Sequence, residues 1–150
     1  MAQKSSKRLQ TLLRLAEMKE QAAVRQLGAT IERLHQAQQQ SEQLAAYEQD
    51  YRERYVDAGG AQPVTRQFLM NFSGFFRQLE NAQTQQGSMI MRREREREIA
   101  RKHWIELHAK RRLLAKVRER RLLVEALAAE KKLQSEIDDR SARSAFRNRE

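Results

Sequence analysis

The side chains that could carry out chemistry are few, and their spacing does not suit it. The chain has three histidines and no cysteine, which excludes thiol catalysis and cysteine-based zinc sites. Glu32 and His35 form one Glu-x-x-His pair, whereas a di-metal bundle needs two such pairs on four helices. His103 and His108 are five residues apart, not the four that place two ligands on one helix face. We therefore expect no metal site, no cofactor and no catalytic residue.

The composition favours long helices over a thick hydrophobic core. Hydrophobic residues make up 39% of the 150 residues and charged residues 33%, with one proline and five glycines. Such a mixture is typical of long helices and coiled coils. No stretch approaches the ~18 apolar residues of a membrane span. The basic N-terminal residues are not followed by the apolar segment of a secretory signal. We expect a cytoplasmic protein.

The strong helix breakers lie together in residues 59–63, which read Gly-Gly-Ala-Gln-Pro. This segment lacks the spacing and the lysine of a phosphate-binding loop, so it predicts a turn. We predict helix 1 over about residues 5–58, a turn over residues 59–62, and helix 2 over about residues 63–140. Proline suits the first turn of helix 2 because its missing N–H is not needed there. Residues 141–150 are polar, and we expect them to fray.

Both predicted helices carry a seam, a stripe of residues spaced alternately three and four apart, which is the coiled-coil pattern. The helix 1 seam contains Leu9, Leu13, Ala16, Glu20, Ala23, Leu27, Thr30, Leu34, Ala37, Ser41, Leu44, Glu48, Tyr51 and Tyr55. The helix 2 seam contains Phe68, Phe72, Phe75, Leu79, Ala82, Gln86, Met89, Arg93, Glu96, Ala100, His103, Leu107, Lys110, Leu114 and Val117. Two long helices joined by a short turn favour an all-α fold, an antiparallel coiled-coil hairpin.

The hairpin has a testable register. If the turn centres on position 63, Tyr51 faces Phe75 and Gln40 faces Gln86. In the same register, helix 2 has no partner from helix 1 beyond about residue 125.

The net charge of +10 is concentrated in helix 2. The basic stretch, residues 92–121, holds 13 basic and five acidic residues. Its cations include Arg92, Arg93, Arg97, Arg101, Lys110, Arg111, Arg112, Arg118, Arg120 and Arg121. Three interpretations compete: a solvated helix face, a contact for an acidic protein or membrane surface, and a nucleic-acid footprint. Base stacking needs exposed aromatic side chains, and Trp104 is the one aromatic residue in the stretch, which disfavours nucleic acid.

Aromatic residues cluster on both sides of the predicted turn. The aromatic cluster holds seven of the nine aromatic residues of the chain: Tyr47, Tyr51, Tyr55, Phe68, Phe72, Phe75 and Phe76. These rings can simply pack the hairpin against itself. Two helices cannot bury all of them on one narrow seam, however, and exposed apolar patches mark partner surfaces. We therefore expect the turn end to bind another protein.

Several of these motifs, in this order, resemble the flagellar export protein FliJ family over nearly the whole chain. The motifs are Leu9-x-x-Leu12-Leu13-x-Leu15, Leu44-x-x-Tyr47-x-x-x-Tyr51, Phe75-x-x-x-Leu79-Glu80-x-Ala82 and Trp104 in a charged helix. The resemblance implies an antiparallel coiled coil similar to the stalk (gamma) subunit of rotary ATPases. It also implies a soluble, non-enzymatic part of the type III export apparatus at the cytoplasmic face of the inner membrane. The implied partners are the hexameric export ATPase FliI, the export gate protein FlhA and export chaperones.

The resemblance also implies a gate-binding surface made of two quartets. The helix 1 quartet is Gln40, Leu44, Tyr47 and Tyr51, and the helix 2 quartet is Phe75, Leu79, Ala82 and Gln86. The family also accepts histidine at the position of Gln86, which makes that contact less specific. The register puts both quartets in the seam, whereas the resemblance puts them on the surface. Both hold if the seam of a two-helix hairpin stays partly exposed.

From these features we expect two partners at two ends of the hairpin. The terminal half would enter the ATPase ring, with the basic stretch facing acidic loops or helping to hold the complex near the membrane. The quartets would face the gate. We expect a free monomer and no nucleic-acid binding. The rival hypotheses are a basic coiled coil that binds nucleic acid and a structural adaptor that forms dimers or tetramers.

Overall fold

The computed structural model describes the backbone of residues 2–61 and 65–149, with the side chains of residues 4–56 and 65–149. Helix α1 spans Ala2–Ala61 and helix α2 spans Arg66–Arg147. The described residues form no strand. The two long helices pack against each other, which confirms the predicted all-α helical hairpin. In the described part of the chain, neither helix is long and apolar enough to cross a membrane.

The helix bounds on both sides of the turn lie three residues later than predicted, since α1 continues through both glycines to Ala61 and α2 begins at Arg66. Thr65 explains the start of α2. Its Oγ1 accepts a hydrogen bond from the backbone N–H of Phe68 at 3.2 Å, the geometry of a helix N-cap. The predicted turn residue Gln62 and the predicted helix start at Pro63 lie outside the described residues.

The C-terminal end of α2 also differs from expectation. The helix continues through residues 141–147, which we expected to fray, and ends at Arg147. This segment contains neither glycine nor proline, so nothing in it breaks the hydrogen-bond ladder of the helix. From residue 126 to residue 149 every side chain is exposed. The described part of α2 beyond residue 125 therefore buries no side chain against α1.

The helices fall into two compact units, which we call the turn unit and the terminal unit. The turn unit is Ala23–Trp104, and the terminal unit is Met1–Ala22 with Ile105–Glu150. The turn unit contains every side chain that is buried among the described residues: Ala23, Thr30, Leu34, Ala37, Phe72, Leu79 and Ala100. Its core is therefore a thin line between two helices, in which Phe72 is the one large side chain among the described residues.

The terminal unit has no fully buried side chain among the described residues. Half-buried residues mark where its two helices meet, among them Leu9, Leu13 and Ala16 on α1 and Leu107 and Leu114 on α2. Polar contacts supplement this packing. The Arg121 guanidinium of α2 donates a hydrogen bond to Ser5 Oγ of α1. The terminal unit therefore packs with less apolar burial than the turn unit.

The predicted α1 seam is confirmed along its length, since every one of its residues from Leu9 to Tyr55 is buried or half-buried. After Gln86 the predicted α2 seam is right at five residues, which are buried or half-buried, and wrong at four others, which are exposed. The five are Arg93, Glu96, Ala100, Leu107 and Leu114. His103, Lys110 and Val117 are exposed, whereas the residue that follows each of them is half-buried. Those inward residues are Trp104, Arg111 and Arg118.

The shift in α2 begins at Met89, which is exposed while Ile90 is half-buried. The spacing after Gln86 is thus four and then three, the reverse of the order we predicted. A helix has 3.6 residues per turn, so a strict seven-residue repeat drifts around it, and the contact stripe changes register to follow the partner.

Candidate functional site

The aromatic cluster of the turn unit is a continuous stack of rings across the two helices. The Tyr51 ring lies between two α2 rings, with centroid distances of 4.8 Å to Phe72 and 4.1 Å to Phe75. The Tyr55 ring extends the stack, with its centroid 4.1 Å from that of Phe72. The contact between Tyr51 and Phe75 confirms the predicted register in the turn unit. Each such aromatic pair adds about 0.5–1.5 kcal/mol beyond the area it buries.

The stack leaves some apolar surface exposed. Tyr47 remains 53% exposed even though its ring lies 5.9 Å from that of Phe75. Leu69 and Met70, at the start of α2, are also exposed. The Arg52 guanidinium lies 5.6 Å from the centroid of the Phe76 ring, within the range of a cation–π contact. The prediction that two helices cannot bury the whole cluster is therefore confirmed.

The helix 1 quartet is more accessible than the helix 2 quartet. Gln40 and Tyr47 are exposed, and Leu44 and Tyr51 are half-buried. The helix 2 quartet contains three half-buried residues, Phe75, Ala82 and Gln86, and the buried Leu79. With 6% of its surface exposed, Leu79 supports this surface from beneath and offers a partner almost no contact area.

Four residues of the two quartets line one open groove of about 430 Å³ in the turn unit. The groove is lined by Gln40, Gln43, Leu44, Tyr47 and Gln86. Gln43 is a residue that the sequence analysis missed, because it lies beside the seam rather than in it. Its spacing of four from Tyr47 and three from Gln40 is the signal that could have found it.

Gln86 is held in place in this groove by α1. Its Nε2 donates to the backbone carbonyl of Ala37 at 2.8 Å and to Gln40 Oε1 at 3.2 Å. The second contact confirms that Gln40 faces Gln86. Because these bonds cross between the helices, Gln86 fixes their local register as well as lining the groove. Its amide is therefore preorganised, which lowers the entropy cost of ordering it for a partner.

A second polar contact lies on the helix pair near the groove. The Gln83 amide donates to Glu48 Oε2 across the helices, and Arg52 donates to Glu48 Oε1 at 2.7 Å. The Gln83 hydrogen bond, and after it the one from Arg52, lower the pKa of the Glu48 carboxyl below its usual value. Both bonds favour the ionised carboxylate, so this contact stays charged at neutral pH.

Several cations of the basic stretch are paired with acidic side chains of the same helix. In the turn unit, Arg92 and Arg93 both pair with Glu96, at 3.5 Å and 2.9 Å, and Arg101 pairs with Glu98 at 3.3 Å. The Arg93 hydrogen bond is the largest cause that lowers the pKa of Glu96. Arg97 is half-buried. This part of the stretch is mostly a network of ion pairs within one helix.

In the terminal unit, the cations of the basic stretch divide between two faces of α2. Arg111 and Arg118 are half-buried, on the side of α1. Arg121 is exposed and bonded to Ser5. Lys110, Arg112 and Arg120 are exposed as well.

Glu20 of α1 is the centre of a polar clamp in the terminal unit. Its Oε1 lies 2.6 Å from His108 Nδ1, and its Oε2 accepts a hydrogen bond from Arg111 Nε. The His108 hydrogen bond is the largest cause that lowers the pKa of Glu20, and the Arg111 bond adds to it, against the opposing effect of partial burial. Glu20, one of the polar residues that interrupt the apolar seam of α1, thus joins the two helices electrostatically.

The described histidines and Trp104 are the side chains that metal binding or base stacking would use. No three His, Asp or Glu side chains among them are close enough to hold a metal ion. His35 and His103 are exposed, singly, on the surfaces of their helices. Trp104 is half-buried against α1, so the basic stretch presents no exposed aromatic ring for a nucleobase.

Comparison with known proteins gives one match. The family model described as "Flagellar FliJ protein" matches residues 5–150 of the chain. No curated protein and no solved structure matches it.

Proposed function

The chain belongs to the flagellar FliJ protein family, and on that premise we propose that it acts as a stalk-like link between the export ATPase and the export gate. Membership makes it a component of the flagellar protein export apparatus. The finer assignment is that the turn unit binds the gate protein FlhA and the terminal unit enters the hexameric ATPase FliI. Escort of export chaperones would be a further task of the same molecule at the cytoplasmic face of the inner membrane.

The observation that carries the gate assignment is the groove in the turn unit. Gln40, Leu44, Tyr47 and Gln86 come from both quartets and line one concavity. Its amides and its exposed tyrosine suit a partner segment that offers both an apolar side chain and hydrogen-bonding groups. Tyrosine is enriched among the residues that dominate binding energy at interfaces, because its large rigid ring loses little entropy on binding.

The ATPase assignment rests on the charge of the terminal unit and on symmetry. Lys110 and Arg112 are exposed and can meet acidic loops of a ring. A single asymmetric helix pair inside a six-fold ring cannot satisfy six identical sites at once. It would therefore bias neighbouring subunits into different states, which promotes sequential ATP turnover. The free chain would be a monomer, which sedimentation can check.

The test of the gate assignment is binding of the purified chain to the cytoplasmic part of the gate protein. Tyr47→Ala together with Gln43→Ala should weaken binding by at least tenfold, since both side chains line the groove. Met70→Ala is the matched control, because Met70 is 65% exposed in the same unit but does not line the groove. Equal binding by the double variant and the control, at unchanged helicity, would refute the assignment.

The test of the ATPase assignment is ATP hydrolysis by the cognate hexamer with and without the chain. We expect stimulation that weakens steeply with added salt, because exposed charges are screened over about 10 Å at 0.1 M salt. Lys110→Gln with Arg112→Gln should reduce the stimulation. No stimulation and no co-purification of the two proteins would exclude the stalk role while leaving the gate assignment standing.

A further inference from the structure

The outward face of α2 in the terminal unit combines exposed leucines with exposed cations. Leu113, Lys116, Arg120, Leu123 and Leu127 follow one another at spacings of three or four, so they lie on one face of the helix. The three leucines are 63%, 62% and 57% exposed. On the other side of the helix, Arg111, Leu114, Ala115 and Arg118 are half-buried. The outward face is thus free of the contact with α1.

This face includes a shallow groove of about 550 Å³. The groove is lined by Lys116, Glu119, Arg120, Leu122, Leu123 and Ala126. Two cations and two leucines therefore open onto the same concavity, with a single carboxylate beside them. Val124, at 64% exposure, and Lys131 continue the same mixture of apolar and basic side chains towards the C-terminus.

We propose that this outward face, Leu113 to Lys131 of α2, binds the surface of a bilayer that contains anionic lipids. Helices that lie in the membrane interface carry leucines that enter the acyl boundary and Lys or Arg side chains that stay at headgroup level. The long apolar stems of Lys116 and Arg120 allow this, since their charged ends can reach the headgroups while their stems cover apolar surface. The face carries Lys116, Arg120 and Lys131 against Glu119 and Glu130, and the resulting excess of positive charge suits anionic headgroups.

A bilayer fits this face better than a second protein helix does. A coiled-coil partner must supply a bonding group for each charged residue within the stripe, as His108 and Arg111 do for Glu20 in the seam of this chain. Here Lys116 and Arg120 stand between Leu113 and Leu123, in the middle of the face. A flat anionic surface tolerates that interruption, because each cation finds a headgroup wherever it lies. The proposal does not depend on the gate or ATPase assignments, and it can be tested with lipid alone.

The test is co-sedimentation of the full chain with vesicles of phosphatidylglycerol and phosphatidylcholine, compared with phosphatidylcholine vesicles. We expect binding to the mixed vesicles only. Lys116→Gln with Arg120→Gln should weaken it about 30-fold at low salt, roughly fivefold per cation. Lys7→Gln with Arg8→Gln is the matched control, since it removes the same charge from exposed positions of α1 in the same unit.

The leucines have a separate test. Leu123→Gln with Leu127→Gln should weaken vesicle binding about tenfold, and part of this loss should persist in high salt, because apolar insertion is not screened. Leu12→Gln with Leu15→Gln is the control, as these leucines are 49% and 48% exposed in the same unit but lie on α1. Helicity measured by circular dichroism should be the same in all variants.

Three outcomes would overturn the proposal. The first is no binding to phosphatidylglycerol vesicles. The second is an equal loss in the Lys7/Arg8 control, which would reduce the effect to net charge. The third is unchanged vesicle binding by the Lys116/Arg120 variant with weakened binding to the export ATPase, which would assign the face to a protein.

Discussion

The turn unit and the terminal unit use the same two helices but are stabilised in different ways. The turn unit contains all the buried side chains of the described residues and a stack of aromatic rings that joins its helices. The terminal unit contains half-buried contacts, a clamp of Glu20 with His108 and Arg111, and a helix segment whose side chains are all exposed beyond residue 125.

This difference shows that one region of a two-helix protein can provide stability while the other keeps contacts that a partner can replace. Apolar burial is non-directional and strong, so the turn unit can hold a preformed groove. Breaking a polar contact costs little free energy when a new partner supplies an equivalent one. The terminal unit can therefore rearrange its surface contacts on binding. The predictions below test this contrast, from the largest expected effect to the smallest.

Phe72→Ala should give the largest loss of stability. Phe72 is 8% exposed and packs against Tyr51, Tyr55 and Phe76, so the substitution leaves a cavity in the middle of the stack. We expect the free energy of unfolding to fall by about 3 kcal/mol, measured by urea denaturation. Leu114→Ala, at a half-buried position of the terminal unit, should cost only about 1 kcal/mol. Equal losses would contradict the contrast between the units.

Gly28→Ala with Gly87→Ala should stabilise the turn unit. Both glycines lie inside helices, and an added Cβ would have no atom within 4 Å at either position. Alanine favours the helix by about 1 kcal/mol per site relative to glycine, so the pair should gain between 1 and about 2 kcal/mol. Thermal and urea unfolding measure the gain. A loss would mean that one glycine lets a partner or a neighbouring helix approach closely.

Glu20→Gln should weaken the terminal unit in a pH-dependent manner. The pKa of Glu20 is lowered from 4.5, so its ionised form stabilises the fold above that pH. As pH falls through the lowered pKa, the carboxylate is protonated and this stabilisation is lost. The difference in unfolding midpoint between the natural chain and the variant should therefore be largest at neutral pH and disappear in acid.

Glu17→Gln is the control for the clamp, because Glu17 is exposed on α1 three residues away. It should leave the pH dependence of unfolding unchanged. A pH profile altered equally by both substitutions would show that net charge, rather than the clamp, accounts for the effect of Glu20.

Removal of residues 132–150 should have the smallest effect on stability. All described side chains in this segment are exposed, so the truncation deletes helix without deleting interhelical contacts. The free energy of unfolding measured with urea should change by less than about 0.5 kcal/mol, while helicity should fall in proportion to the residues removed. A larger loss of stability would mean that the segment packs against a second copy, which sedimentation would detect.

Much of the fold could be predicted from periodicity. The α1 seam, the pairing of Tyr51 with Phe75 and the pairing of Gln40 with Gln86 all follow from spacing and the position of the turn. The α2 seam after Gln86 could not be predicted in the same way. Choosing His103 over Trp104, or Lys110 over Arg111, requires knowing how the helices wind around each other.

The residues of the candidate site could be predicted from the sequence, but the exposure of each side chain could not. Spacing and resemblance selected eight positions, yet they could not tell that Leu79 is buried while Tyr47 is 53% exposed. They also missed Gln43, whose side chain matters only because the groove exists. Adjacent positions on a helix differ by 100° in direction, so a small rotation of the pair decides which side chain a partner meets.

The sequence by itself determined that this chain forms two helices with one turn, that most of its aromatic rings lie near that turn and that the excess of its cations lies on the second helix. These properties follow from local helix propensity, residue order and the absence of breakers elsewhere. Only the tertiary structure decided which cations face α1, how Glu20 joins His108 and Arg111, and which side chains open onto the two grooves. Those outcomes depend on the rotation and register of one helix against the other, which distant residues set together.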